Sequence, residues 1–251
     1  MHRGSLDDLD SLKRGAADTE GVIHCGFIHD FTQYAAAAQT DQQAIAAMGA
    51  VLASTNRPFI VTSGFANLTQ TGSLITEDDT LDPNVSAMRL SEGAALELAT
   101  QGARAMVMRL AASVHGENDH GFVPALIGIA REKGVAAYVG DGQNRWPAVH
   151  RLDAARLYRL ALEHGVAGAR YHAVADEGIA LRDLAAVIGR HLNVPVVSKS
   201  QEEAAGHFNW MAGFVGLDLA ASSALTQERL KWHPTHTALL PELEQGDYFK
   251  G

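Results

Sequence analysis

Apolar positions along the chain fall into two textures. Short runs rich in Val, Ile, Phe and Met stand between polar or glycine-bearing turns, which is how buried strands read. Longer stretches repeat their apolar residues at three- and four-residue spacing, which is how amphipathic helices read. In the first half the pattern predicts strands at 21–27, Phe59–Ser63 and Ala105–Leu110. It places an Ala-rich helix at 34–54 and a second helix at 86–101, closed by Gly102. Residues 5–12 read as a capped helix start with acids in its first turn. Strands alternating with helices predict an α/β protein built on a parallel sheet.

The second half is more finely divided. A helix is predicted at 124–133, ended by Gly134, and strands at 136–139 and 147–150 flank the turn Gly140-Asp141-Gly142. Asp153 reads as the cap of a helix whose Ala154, Leu157, Leu160 and Ala161 share one face. A strand follows at 170–175. Leu181, Leu184, Ala185, Ile188 and Leu192 then form a regular helical stripe. A late strand at 195–198 and a short helix before Trp232 complete the pattern.

Composition narrows the classes of function. The chain has 251 residues, 29 acidic and 20 basic, for a formal charge of -9, which argues against general affinity for nucleic acid or an anionic membrane. No apolar run approaches the roughly 18 residues of a membrane span, and the first ten residues have no secretory h-region. The single cysteine, Cys25, cannot form an internal disulfide and reads as a small buried residue. His24 and His29 read as packed or solvated. The expectation is a cytoplasmic protein with no nucleic-acid or membrane partner.

Five segments carry a resemblance. Val22-Ile23-His24-Cys25-Gly26 looks like V-x-H-x-A, and Phe59-Ile60-Val61-Thr62-Ser63-Gly64 like a strand ending in a Ser/Thr-rich turn. Arg109-Leu110-Ala111-Ala112-Ser113-Val114-His115-Gly116 is similar to R-P-x-x-V-Y-G. Residues 140–153 resemble G-D-G-x-x-x-x-x-F-V-H-V-D-D, and Leu230-Lys231-Trp232-His233-Pro234 resembles L-G-W-x-P. Together they resemble the atypical, extended short-chain dehydrogenases/reductases, the NAD-dependent epimerase/dehydratase-like family. That resemblance implies a Rossmann-like, doubly wound parallel sheet with a smaller C-terminal substrate-binding α/β region. Residues 1–115 would form the dinucleotide-binding core and 116–251 mainly the substrate region, with segments of about 136–175 returning to the core sheet. It implies NAD or NADP as cofactor and a homodimer through the helices at 34–54 and 86–101. The cofactor positions carried over are Ser5, Leu6, Gly26, Phe27, Thr62, Ser63, Arg109, Leu110, Ser113 and Val114; the substrate positions are Asn118, Arg145, Trp146 and His150.

Two departures bear on activity. The family opens with G-x-x-G-x-x-G, and the first four glycines here, Gly4, Gly15, Gly21 and Gly26, do not have that spacing. Residues 3–8 instead resemble the G-D-L-x-D segment after the family's third strand. The chain therefore reads as truncated at its N-terminus, its sheet lacking the first strand–helix–strand, with a weak or absent dinucleotide site. The Y-x-x-x-K pair is replaced by Met88 and Glu92. The remaining catalytic candidates are Ser63, the family's Ser/Thr position falling at either Ser63 or Gly64, and His115, an imidazole where tyrosine is usual. Residues 115–120 read either as a metal or acid/base cluster or as a polar loop at the cleft mouth. Arg145 and Trp146 read either as an anion clamp or as a β-hairpin with an aromatic anchor. Arg109 reads either as a group near the cofactor or as a strand end. Two functions stay open: a nicotinamide-dependent oxidoreductase, epimerase or dehydratase acting on a small hydroxyl or carbonyl compound, and a non-catalytic NAD(P)- or ligand-sensing protein of the same fold. An incomplete gene product without cofactor binding is a variant of the second.

Overall fold

A computed structural model describes residues 2–68, 73–81 and 89–250. Met88 and the residues before it to 82 lie outside that description. The first half runs α1 (Leu9–Ala17), β1 (Val22–His24), α2 (Tyr34–Leu52), β2 (Phe59–Ser63), α3 (Ser91–Thr100) and β3 (Ala105–Leu110). The second runs β4 (Ser113–His115), α4 (Phe122–Lys133), β5 (Ala136–Val139), β6 (Arg145–His150), α5 (Arg151–His164), β7 (Arg170–Ala173) and β8 (Asp176–Ala180). It continues through α6 (Leu181–Leu192), β9 (Val196–Lys199), α7 (Gln201–Phe208), α8 (Ala212–Val215), α9 (Ala224–Leu230) and α10 (Leu239–Gln245).

The main sheet is parallel, in the order β1-β2-β3-β7. Successive residues of a strand face opposite sides, and here both sides are buried. Phe59, Val61, Ala105 and Val107 pack with Ile45, Leu52 and Ala95 of α2 and α3. Ile60, Met106 and Met108 face Leu157 and Ala161 of α5. Continuous apolar strands of this kind belong to an α/β protein with helices on both faces. Gly49 brings α2 close to α3: a Cβ there would stand 2.2 Å from Cδ1 of Leu98.

Two smaller sheets complete the molecule, β4-β6-β8 and β5-β9. The hairpin expected around Gly140 and Gly142 does not form. Both glycines have positive φ, +61° and +68°, and swing the chain so that β5 pairs in parallel with β9 while β6 pairs with β4 and β8. Of the stretch 136–175, β7 joins the main sheet and β5 and β6 do not. Asp153 is also not the cap of α5. That place is taken by His150, whose ring accepts from the Leu152 N–H at 3.2 Å. Asp153, fully buried, instead pins the C-terminal tail: its carboxylate accepts from the N–H groups of Thr235 and His236, and its carbonyl from the Trp232 indole.

Candidate functional site

A cleft of about 690 Å³ opens at the carboxyl ends of β1, β2 and β3. This is where ligands bind in open parallel sheets, because strand ends leave groups free there and loops diverge. Cys25 and Phe27 follow β1, Thr62 and Ser63 end β2, and Leu110 ends β3; all line the cleft. The opposite wall comes from the second half: Val114 and His115 of β4, Asn118 and Asp119, Phe122, and Trp210 and Phe214 near α8.

A hydroxyl chain runs along one side. The Tyr158 hydroxyl and Thr62 Oγ1 are 2.6 Å apart, and Thr62 Oγ1 donates to Sγ of Cys25 at 3.4 Å. Burial pushes the Tyr158 phenol far above its ordinary range, so it stays a neutral hydroxyl at any working pH. Cys25, expected to be buried, is exposed and faces the cleft, because β1 stops at His24 and the next residue has left the sheet. His24 turns inward instead and bonds buried Asp41 at 2.7 Å; Asp41 also accepts from Oγ of Ser91. His29 lines the cleft. Arg89 lies over the Phe27 ring, 4.2 Å from its centroid, and its Nε donates to Ser91 Oγ at 2.8 Å.

At the other wall, His115 is fully buried, with Nδ1 bonded to Oε2 of Glu242 from α10 and Nε2 without a partner. Its ring meets that of His150 edge-on at 5.5 Å, and His150 stacks on His236 at 4.4 Å. Burial holds the His150 imidazole below its usual value, against the opposing pull of Glu242. Asp119 accepts from the Tyr248 hydroxyl at 3.0 Å and from the Gly121 N–H at 2.7 Å. Burial nevertheless raises its carboxyl above the usual range. Among the described residues no group of three or more His, Cys, Asp or Glu could hold a metal ion. Residues 115–120 thus form a loop that turns through Asn118, at φ +62°, along the cleft mouth.

The sequence-derived positions separate into two sets. Phe27, Thr62, Ser63, Leu110, Val114, His115 and Asn118 come together in the cleft. Ser5, Leu6 and Gly26 lie beside β1, where a Cβ on Gly26 would meet Leu6 at 3.3 Å. Ser113 is buried with its hydroxyl unpartnered. Arg109 is not among the residues that line the cleft: fully buried, it donates through Nε and Nη2 to the Glu92 carboxylate at 2.9 and 2.6 Å. Glu92, 2% exposed, is also paired with Arg170 of β7 at 2.9 Å, so its carboxylate is shared by two arginines. Arg145 is held by Asp218 through two bonds of 2.9 and 3.0 Å, and Trp146 is buried in the core, so the anion clamp is not assembled. His150 is occupied as the cap of α5. Asp119 belongs to the 115–120 cluster that the sequence marks, whereas Cys25, Arg89 and Glu242 are not foreseen as site residues, and no local motif marks them.

The strand ends fit the nicotinamide half of a dinucleotide: the hydroxyls of Thr62 and Ser63, each 5% exposed, stand beside apolar Leu110 and Val114. No strand–helix turn among the described residues carries the glycine spacing that cradles a diphosphate.

Sheet, cleft and chain order together define the fold of the extended short-chain dehydrogenases/reductases. The chain superposes on dTDP-glucose 4,6-dehydratase of Streptomyces venezuelae, crystallised with NAD, with a TM-score of 0.78 and 18% identity, covering 98% of this chain and 78% of that one. UDP-glucose 4-epimerase of Thermotoga maritima gives a TM-score of 0.75 at 18% identity, covering 98% of this chain and 83% of that one. No model of a known protein family matches the chain. The chain belongs to the same family as an uncharacterized protein of Schizosaccharomyces pombe, to which it is 49% identical over 98% of its own length and 83% of the other's. An uncharacterized protein of Saccharomyces cerevisiae is 43% identical over 96% of this chain and 81% of that one.

Proposed function

We propose that the protein is a nicotinamide-dependent oxidoreductase or epimerase-like enzyme acting on a small hydroxyl- or carbonyl-bearing compound. The observation that carries this reading is the cleft itself, about 690 Å³ at the carboxyl ends of three parallel strands, lined by hydroxyl, thiol and imidazole groups. Thr62, Ser63, Leu110 and Val114 would hold the nicotinamide ring. When bound, NAD or NADP supplies a hydride acceptor or donor; the protein's part is to orient the substrate, exclude water and handle a proton. Ser63 would hydrogen-bond the substrate oxygen, and His115 would carry the proton that tyrosine carries in relatives. The apolar wall of Phe122, Trp210 and Phe214 would cover the substrate.

Titration with NADH and NADPH, followed by cofactor fluorescence, tests the reading. Saturable quenching, followed by oxidation of the cofactor on adding a carbonyl substrate, is the expected outcome. No saturable quenching with either cofactor would overturn it. A second reading, a non-catalytic NAD(P) or ligand sensor, is favoured by Glu92, which is committed to an ion cluster where a catalytic lysine would stand. Binding without turnover across a panel of aldehydes, ketones and sugars would select it.

A further inference from the structure

We propose that Glu242 and His115 form a carboxylate–imidazole dyad in which Nε2 of His115 is the proton-handling atom of the cleft and Glu242 is its positioning residue. The proposal rests on the cleft being a reaction site, and its first test does not depend on that reading. A carboxylate only accepts, so the bond to Glu242 requires the hydrogen on Nδ1 of His115. The neutral ring then presents a lone pair at Nε2, and the protonated ring presents an N–H there. Fixing one ring nitrogen through a carboxylate on the other is how enzymes set an imidazole's tautomer and aim.

Burial makes the arrangement informative. His115 is 0% exposed, yet it is one of the residues that line the cleft, and its buried Nε2 has no hydrogen-bonding partner. An unpartnered buried polar atom costs about 1–3 kcal/mol, a cost that a ligand bound in the cleft would remove. The groups around the ring are Glu242, His150, Asp119 and Tyr248. Asp119 and Tyr248 are bonded to each other, and His150 spends Nδ1 on the Leu152 N–H. Oε1 of Glu242 lies 3.9 Å from Nε2 of His150, which leaves Oε2 as the atom that serves His115.

The carboxylate is itself fixed. Leu239 and Leu243 of α10 are buried, and the Leu239 N–H donates to Asp176 at 3.0 Å. One helical turn presents Glu242 to the end of β4. In the forward direction the proton leaves Nε2 for a substrate oxygen and the ring returns to its neutral form, with Nδ1–H still on Glu242. In reverse the oxygen returns that proton to the same lone pair. The hydride of the same reduction is the one the nicotinamide would supply, and the ring regains its proton from solvent before the next turnover.

The test is imidazole nitrogen NMR on protein labelled with ¹⁵N-histidine, with the His115 signals assigned by their loss in His115→Gln. The expected result is a neutral ring protonated at Nδ1 with an unprotonated Nε2. In Glu242→Gln, whose amide can also donate, the tautomers should mix. An Nε2–H tautomer in the wild type, or a Glu242→Gln spectrum identical to it, would overturn the dyad. If Glu242→Gln does not fold, as judged by circular dichroism, the wild-type tautomer alone decides. On a substrate that is turned over, Glu242→Gln should lower kcat about 100-fold at unchanged KM. Failure of cofactor binding would sink the oxidoreductase reading while leaving the tautomer result standing.

Discussion

Glu92 shows how far a single position can mislead when read by type. At the place of a catalytic lysine it looks like a lost function; in the fold it is the shared anion of Arg109 and Arg170, almost without solvent. Removing one member of a buried ion cluster leaves charge uncompensated, at a cost of about 3–5 kcal/mol. Glu92→Lys should therefore lower the unfolding free energy read from urea titration by that much or prevent folding, and it should not create activity. The same cluster reaches His172, whose Nε2 must accept from Arg109 at 3.1 Å because a guanidinium only donates, while Nδ1 donates to Ser222 O at 2.6 Å. The ring is thus neutral, and burial together with Arg109 pulls its pKa down to about 3. Its folded value lies below the unfolded one, about 6.5, so the unfolded chain binds the proton first. The stability contributed is complete above about pH 6.5 and is lost at up to roughly 1.4 kcal/mol per unit as pH falls toward 3. His172→Gln, which can make both bonds, should flatten that slope in denaturant titrations between pH 7 and 4.

Elements were more legible than their partners. Phe59–Ser63 and Ala105–Leu110 fold as the apolar pattern predicts, and the Leu181–Leu192 stripe is α6 to the residue. These succeed because both faces, or one clean face, are buried. β8 was missed because Asp176-Glu177-Gly178 carries none of the β-branched character that marks strands; its pairing with β6 creates it. The expected helix at 86–101 is found, among the described residues, as Ser91–Thr100. The site divided the same way. Strand ends such as Thr62, Ser63 and Leu110 could be read, since topology alone brings them to the cleft. Glu242 and Asp153 could not, because their partners lie about 80 or more residues away and only packing joins them. Asp153→Ala would strip the N–H groups of Thr235 and His236 of their acceptor, at a cost of about 2–3 kcal/mol. Loosening the tail, it should also increase amide exchange through α10.

At the scale of the molecule, no described helix is long and apolar enough to cross a membrane. The cleft is the meeting place of the two halves, one wall from strand ends of the main sheet and the other from residues beyond 113. Cys25, the chain's only cysteine, stands exposed in that cleft and makes a built-in reporter of its occupancy. Its alkylation rate with iodoacetamide should fall several-fold when nicotinamide cofactor saturates the protein. An unchanged rate at saturation would place the cofactor elsewhere.

The pairing of Glu92 with Arg170 also bears on how the chain acquires its shape during synthesis. Arg170 is translated 78 residues after Glu92, on the strand that flanks β3. Until it leaves the ribosome, the carboxylate has only Arg109, and the edge of β3 that β7 will pair with is still bare. The main sheet therefore cannot close as an early, self-sufficient unit. Nascent chains stalled before residue 170 should remain protease-sensitive through β3, with protection arriving abruptly once β7 emerges.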